Sequence, residues 1–145
     1  MNVSQIMSTR VVSVHLDDSL QTLRELFDAT GFHHLVVVQD NQLAGIISDR
    51  DLLAALSPFA DTLNERARDR ATLDKRAHQI MTREVITLQP SDSVVTAMQT
   101  FNRHTVSCLP VVDAGQHPVG MVSWRDILRY MEVRVTKLKA TENAS

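Results

Sequence analysis

Apolar positions along this chain follow two periods, and the same succession of periods occurs twice. Leu20, Leu23, Leu26 and Phe27 recur at helical spacing, as do Val94, Ala97, Met98 and Phe101. A short extended piece precedes each predicted helix, at residues 11–14 and 85–88. Asp17-Asp18-Ser19 and Asp92-Ser93 then supply a good helix N-cap. After each helix comes a continuous apolar run, Leu35-Val36-Val37-Val38 or Leu109-Pro110-Val111-Val112. Such a run suits a strand buried on both faces. Turns follow at residues 39–42 and 113–116. A second strand leads into Gly-x-x-Ser-x-Arg-Asp, at residues 45–51 and again at 120–126. Asp49-Arg50-Asp51 and Trp124-Arg125-Asp126 open a closing helix, with Ser48 and Ser123 as its N-caps.

The two passes are copies of one unit. At a constant offset Met7 falls on Met81, Val11 on Val85, Ser19 on Ser93 and Phe27 on Phe101. Leu35, Val37 and Val38 fall on Leu109, Val111 and Val112. The second copy has one extra residue near His117-Pro118, after which Gly45 falls on Gly120. Agreement concentrates on apolar positions and one polar signature, which chance would not select. The expected architecture is an α/β chain (α+β in some schemes) of two βαββα repeats. The first repeat is residues 1–58, a helical linker is 59–77, the second repeat is 78–138, and 139–145 is a disordered tail. The linker is charged, lacks Gly and Pro, and has only the thin apolar stripe Leu63, Ala67, Leu73. It reads as a surface helix. The closing helix is expected to run past Met131 toward Lys139 and then fray.

Bulk properties narrow the functional classes. The chain has 145 residues, 43% of them hydrophobic, enough for a packed core. A formal charge of -2 and the lack of a Lys/Arg block argue against nucleic acid as the main partner. No apolar run is long enough to span a membrane, and no secretory signal is evident. The single cysteine, Cys108, has no internal partner, so a reducing cytoplasm is the expected compartment. Hydrolase, dinucleotide-fold, Walker, zincin and Cys-x-x-Cys motifs are all absent, and repeats plus linker use almost the whole chain. The expectation is therefore no enzyme, no catalytic residues and no required cofactor.

The repeat resembles the CBS domain, and the tandem pair resembles a Bateman module. The residues that carry the resemblance are Val106-Ser107-Cys108-Leu109-Pro110-Val111-Val112-Asp113 and the two Gly-x-x-Ser-x-Arg-Asp signatures. The resemblance implies two βαββα units packed about a pseudo-twofold axis, with two clefts between them. It implies adenosine-containing regulatory ligands (AMP, ADP, ATP or S-adenosylmethionine) and a homodimer. A separate, unidentified effector protein would receive the signal. In the family the Asp of the signature holds the ribose and the Ser lies on the ribose or phosphate side. Those roles fall here on Asp51, Asp126, Ser48 and Ser123, with Arg50 and Arg125 within reach of phosphate. One cleft would use Val11, Val12, Phe32 and His33 with Met121, Ser123 and Asp126. The other would use Val85, Ile86, Val106, Ser107 and Cys108 with Ile46, Ser48 and Asp51. His33 sits where some relatives place a phosphate-contacting histidine. Two departures make the sites unequal. The first copy reads His34-Leu35-Val36-Val37 where Leu-Pro-Val-Val is common, and Trp124 stands where the first copy has Asp49.

The chemistry suits such a ligand. Ribose offers two vicinal hydroxyls that one carboxylate can accept together, and helix N-terminal amides favour phosphate. Gly45 and Gly120 admit close approach of a ligand or of backbone. Plainer readings stand beside each of these. Ser-x-x-Asp at a helix start is also an N-cap with a favourable first-turn acid. Arg50 and Arg125 also suit surface ion pairs. His33 and His34 point to opposite strand faces, which disfavours one shared metal ion. Cys108 suits a small buried residue. Two further functions stay open: a ligand-free dimerisation scaffold, and a small enzyme using cleft Ser, His and Asp groups.

Overall fold

A computed structural model describes residues 1–59, 62–63 and 66–144. Its elements are β1 (Ser13–His15), α1 (Leu20–Thr30), β2 (His34–Gln39), β3 (Gln42–Ser48), α2 (Asp49–Ala55), α3 (Ala67–Ala71), α4 (Ala77–Ile80), α5 (Val94–Arg103), β4 (Cys108–Val112), β5 (Pro118–Ser123) and α6 (Trp124–Ala144). The chain divides into two compact units. One holds Val11–Val85 with Gly115–Pro118; the other holds Met1–Arg10, Ile86–Ala114 and residues 119–144.

In the unit formed by Val11–Val85, β1 pairs parallel to β2 and β2 pairs antiparallel to β3. Asp40 and Asn41 turn the β2–β3 hairpin at φ of 53° and 64°, the left-handed geometry a two-residue hairpin requires. Ser19 caps α1 by accepting the Thr22 N–H at 3.2 Å. Gly31 ends α1 at φ 69°, as a C-terminal glycine does. The face of α1 carrying Leu20, Leu23 and Phe27 packs with Val14, Leu35, Val37, Ile47, Leu52 and Ala77. Val36 and Val38, on the opposite face of β2, are buried as well, the both-faces burial that its apolar run implied.

The second unit repeats this plan with one rung fewer. Val3, Leu88, Ala97, Phe101, Leu109, Val111 and Val122 form its core, and Ser93 caps α5 through the Thr96 N–H. Residues 85–88, expected as a strand, make only a single parallel bridge, Leu88 to Val111. The cause is Pro110. In the first copy Val36 N–H donates to the Val12 carbonyl at 3.1 Å. Pro110 occupies the matching place and has no N–H to donate. The two bonds around Leu88, to the Pro110 carbonyl and from the Val112 N–H, survive at 2.9 Å each.

Compact units and repeats do not share boundaries. The leading segment of the first repeat packs in the unit of the second. Val3 N–H donates to the Asp92 carbonyl, and Ser8 and Met121 exchange two backbone bonds at 2.9 Å. The matching segment ahead of the second repeat packs in the first unit, where Ile46 and Thr82 exchange the same pair.

Two sequence expectations need correction. The linker is not one surface helix. Residues 60, 61, 64 and 65 lie outside the described residues, and the described remainder contains the five-residue α3, a 3-10 turn at Thr72–Asp74 and the start of α4. Leu73 is buried, and the Lys75 carbonyl accepts the Leu20 N–H. Anchoring of the segment to the start of α1 breaks the helix. The tail does not fray past Lys139 either: α6 continues to Ala144. No Gly or Pro interrupts it, and Thr141 Oγ1 donates to the Lys137 carbonyl.

Candidate functional site

Both signature segments fold as capped helix starts. In the first unit Ser48 ends β3 in an extended conformation, and its hydroxyl accepts the Asp51 N–H at 3.1 Å. Asp51 Oδ2 in turn accepts the Ser48 N–H at 2.8 Å. In the second unit Asp126 Oδ2 accepts the Ser123 N–H at 2.8 Å and the Ser123 hydroxyl at 3.1 Å. Each is a capping box with Asp in the usual Glu place. Each carboxylate spends Oδ2 on its own helix start. Asp51 and Asp126 are half-buried at the surface of their units. The capping reading is therefore correct in both copies, and it leaves Oδ1 with no hydrogen bond among the described residues.

The glycines serve backbone approach. A Cβ on Gly45 would lie 2.9 Å from the Thr82 carbonyl oxygen and against the Met81 side chain. A Cβ on Gly120 would lie 3.0 Å from the Ser8 carbonyl oxygen and against Met7. Met7 and Met81, paired in the repeat alignment, thus cover the two signature glycines. Their covering role gives no signal in the sequence beyond that pairing.

The residues before each apolar strand meet the signature of their own copy. Asp49 N–H donates to the His33 carbonyl at 2.9 Å, and Trp124 N–H donates to the Ser107 carbonyl at 3.3 Å. His33 Nδ1 also bonds Asp49 Oδ2 at 2.8 Å, a pair the sequence did not announce. This hydrogen bond is the main cause that holds the Asp49 carboxyl below its ordinary range. His33 is 79% exposed. With Phe27, Phe32, Leu52 and Leu56 it lines a groove between α1 and α2. The matching groove of the second unit, between α5 and α6, contains Trp124 beside Met98 and Phe101. Trp124 therefore lies on the helical face of its unit. Arg50 and Arg125 are exposed. Among the base-pocket candidates, Val11, Val12, Phe32, Ile46 and Val85 belong to the first unit. Ile86, Val106, Ser107, Cys108 and Met121 belong to the second. All are half-buried except the exposed Ser107.

Burial pushes the Cys108 thiol up to about 12, helped by the nearby Asp126 charge. The thiol is thus protonated near neutrality and a poor nucleophile or redox centre. Burial also lowers the His34 pKa, with His33 acting in the same sense and Asp49 and Asp51 opposing it. The unfolded chain then binds a proton on His34 more readily than the folded one. Stability should fall as the pH drops below about 6.5, the ordinary histidine value. Urea midpoints at about pH 7.5 and about pH 5.5 measure the loss, and His34→Gln should reduce it. An unchanged pH slope in that variant would remove His34 as the cause. Among the described residues no group of three or more His, Cys, Asp or Glu is placed to hold a metal ion. None of the described helices is long and apolar enough to cross a membrane.

Known proteins share this plan. The family model for the CBS domain matches residues 3–58 and 77–133. A CBS domain-containing protein of Dictyostelium discoideum is 36% identical over 128 residues, covering 87% of this chain and 88% of that protein. A homoserine O-acetyltransferase of Methanocorpusculum labreanum is 32% identical over 124 residues, but this chain spans only 23% of its length. Among solved structures, the CBS domain pair of protein MJ0100 in complex with 5'-methylthioadenosine and S-adenosyl-L-methionine superposes with a TM-score of 0.75 at 26% identity. The match covers 92% of this chain and 98% of that one. CBSX2 in complex with AMP gives a TM-score of 0.74 at 25% identity, with the same coverages.

Proposed function

This chain belongs to the CBS-domain family as a tandem pair of its repeats, and we propose that it is a regulatory module that binds an adenosine-containing nucleotide and signals to a partner protein. The carrying observation is the pair of Ser-x-x-Asp helix starts. In each, a half-buried carboxylate is pinned by its helix and keeps one oxygen open. That oxygen suits a ribose diol, and the N–H groups of the first helical turn suit phosphate. The adenosine compounds bound by the structural relatives point to the same ligand class. In this reading Asp51 and Asp126 hold ribose, and Ser48, Ser123, Arg50 and Arg125 face the ribose or phosphate. His33, whose Nδ1 is held by Asp49, offers Nε2 to phosphate. Val11, Val12, Phe32, Ile46 and Val85 of the first unit and Ile86, Val106, Ser107, Cys108 and Met121 of the second are the residues assigned to the bases. The module works in the cytoplasm as a homodimer.

Ligand that binds the folded state alone raises its stability by RT ln(1 + [L]/Kd), about 2.7 kcal/mol at a hundredfold excess over Kd. The melting midpoint should therefore climb with the concentration of at least one of AMP, ADP, ATP or S-adenosylmethionine. No shift with any of them would favour the ligand-free scaffold. The complete capping boxes give that alternative its own support, because they account for the signature without a nucleotide.

A further inference from the structure

The two copies differ at the residue that opens the strand ahead of each signature. His34 stands there in the first copy, and Cys108 fills the matching place in the second. His34 begins β2, and its antiparallel partner in β3 is Ser48, the cap of α2. Residues directly opposite in such a pair project to the same face. The half-buried imidazole therefore shares a face with the signature hydroxyl. The charged and titratable groups that act on it are Asp49, His33 and Asp51. Both carboxylates are engaged elsewhere through Oδ2, Asp49 with His33 Nδ1 and Asp51 with the Ser48 N–H, at 2.8 Å each. The His34 ring makes no hydrogen bond among the described residues. It is a titratable group at the signature that the proposed site does not yet use.

We infer that His34 is a specificity residue of the first-unit signature: by taking up a proton from solvent it selects adenosine ligands that carry phosphate over those that carry positive charge, so that ligand choice follows pH. This inference deepens the proposed function and rests on its nucleotide reading. Partial burial takes the ring out of water and favours its neutral form in the free protein. A phosphate held at the signature is an opposite charge in a partly desolvated place, where it is screened less than at the surface. It favours the imidazolium, so one proton enters as the ligand does. Affinity for a phosphate ligand then rises as the pH falls through the histidine range, near 6.5. The sulfonium of S-adenosylmethionine acts in the opposite sense, and affinity for it falls over the same range. The second-unit signature has no such response from the matching position. Burial pushes the Cys108 thiol up to about 12 and keeps it uncharged.

The test is isothermal titration of the full chain at about pH 7.5 and about pH 5.5, on either side of the histidine range. The probes are AMP and ATP as anions and S-adenosylmethionine as the cation. Wild type is compared with His34→Gln, neutral at both pH values, and His34→Arg, charged at both. Circular dichroism checks folding. Phosphate itself protonates near pH 6, so the quantity read is the difference between wild type and His34→Gln with one ligand. Acidification should favour anion binding by wild type about three- to tenfold more than by His34→Gln. His34→Arg should hold the acid affinity at the higher pH. S-adenosylmethionine should show the reverse slope. If only one class binds, the sign of its slope against His34→Gln decides. Equal pH dependence in wild type and His34→Gln would overturn this inference and leave nucleotide binding standing. Slopes of one sign for anion and cation would overturn the charge selection. A folded wild type that binds none of the three at either pH would overturn the nucleotide reading and this inference with it.

Discussion

Gly45→Val and Gly120→Val should each lower the melting midpoint by roughly 3–10 °C, from an overpacking cost of about 1–3 kcal/mol. Each glycine is buried where a second backbone segment crosses its strand. The nearest obstacle to a new side chain is a methionine, which can move; the next is a carbonyl oxygen, which cannot without breaking a bridge. That bridge is the Ile46–Thr82 exchange in one unit and the Ser8–Met121 exchange in the other. Alanine at the same positions should cost less than valine. Met81→Ala should restore only part of the loss in Gly45→Ala, because the Thr82 carbonyl stays in place. Full recovery in that double variant would assign the cost to the methionine and not to the backbone crossing. Differential scanning calorimetry of these variants against wild type measures it.

Asp51→Asn and Asp126→Asn should each weaken nucleotide binding at their own site by roughly tenfold to a hundredfold. That is the cost of about 1.5–3 kcal/mol for losing a charge-assisted hydrogen bond. Asparagine is the informative replacement. Its one amide oxygen can still accept the Ser48 or Ser123 N–H and keep the helix start. It cannot also accept from two ribose hydroxyls. Alanine removes both functions, so Asp51→Ala should lose the same affinity and also about 0.5–2 kcal/mol of stability from the broken cap. A variant that melts like wild type and binds less well separates the ligand role from the cap. If both asparagine variants bind as tightly as the parent, the carboxylates serve the helix alone.

Much of the fold was legible because two periods alternate cleanly. Leu20, Leu23 and Phe27 are buried on α1 and Val94, Ala97 and Phe101 on α5, as 3.6-residue spacing requires. Residues 35–38 are buried on both faces of β2. Ser19 and Ser93 cap the helices their spacing assigned to them. The departures have local causes. Pro110 deletes one ladder bond, so the second copy loses a strand the first copy keeps. Leu73 and Lys75 anchor the linker to the start of α1, a long-range contact that helix propensity does not report. α6 continues past Lys139 because nothing in its sequence stops it.

The candidate site was legible in one layer and hidden in the next. Ser48, Asp51, Ser123 and Asp126 could be picked out because the signature is periodic and repeated. The His33–Asp49 pair could not, because it joins residues sixteen positions apart across a strand end. Neither could the methionine cover over Gly45 and Gly120, which depends on segments crossing from one repeat to the unit of the other. The inequality of the copies was visible in sequence at Asp49 and Trp124. The structure gives it a location, on the helical faces α1–α2 and α5–α6.

The most direct measurement is isothermal titration of the full chain with AMP, ADP, ATP and S-adenosylmethionine, repeated on the Asp51→Asn, Asp126→Asn double variant. The expected result is saturable heat with at least one of the four and its loss in the folded double variant. Flat titrations of the wild-type chain with all four, at concentrations that leave the protein folded, would contradict the nucleotide-sensing reading.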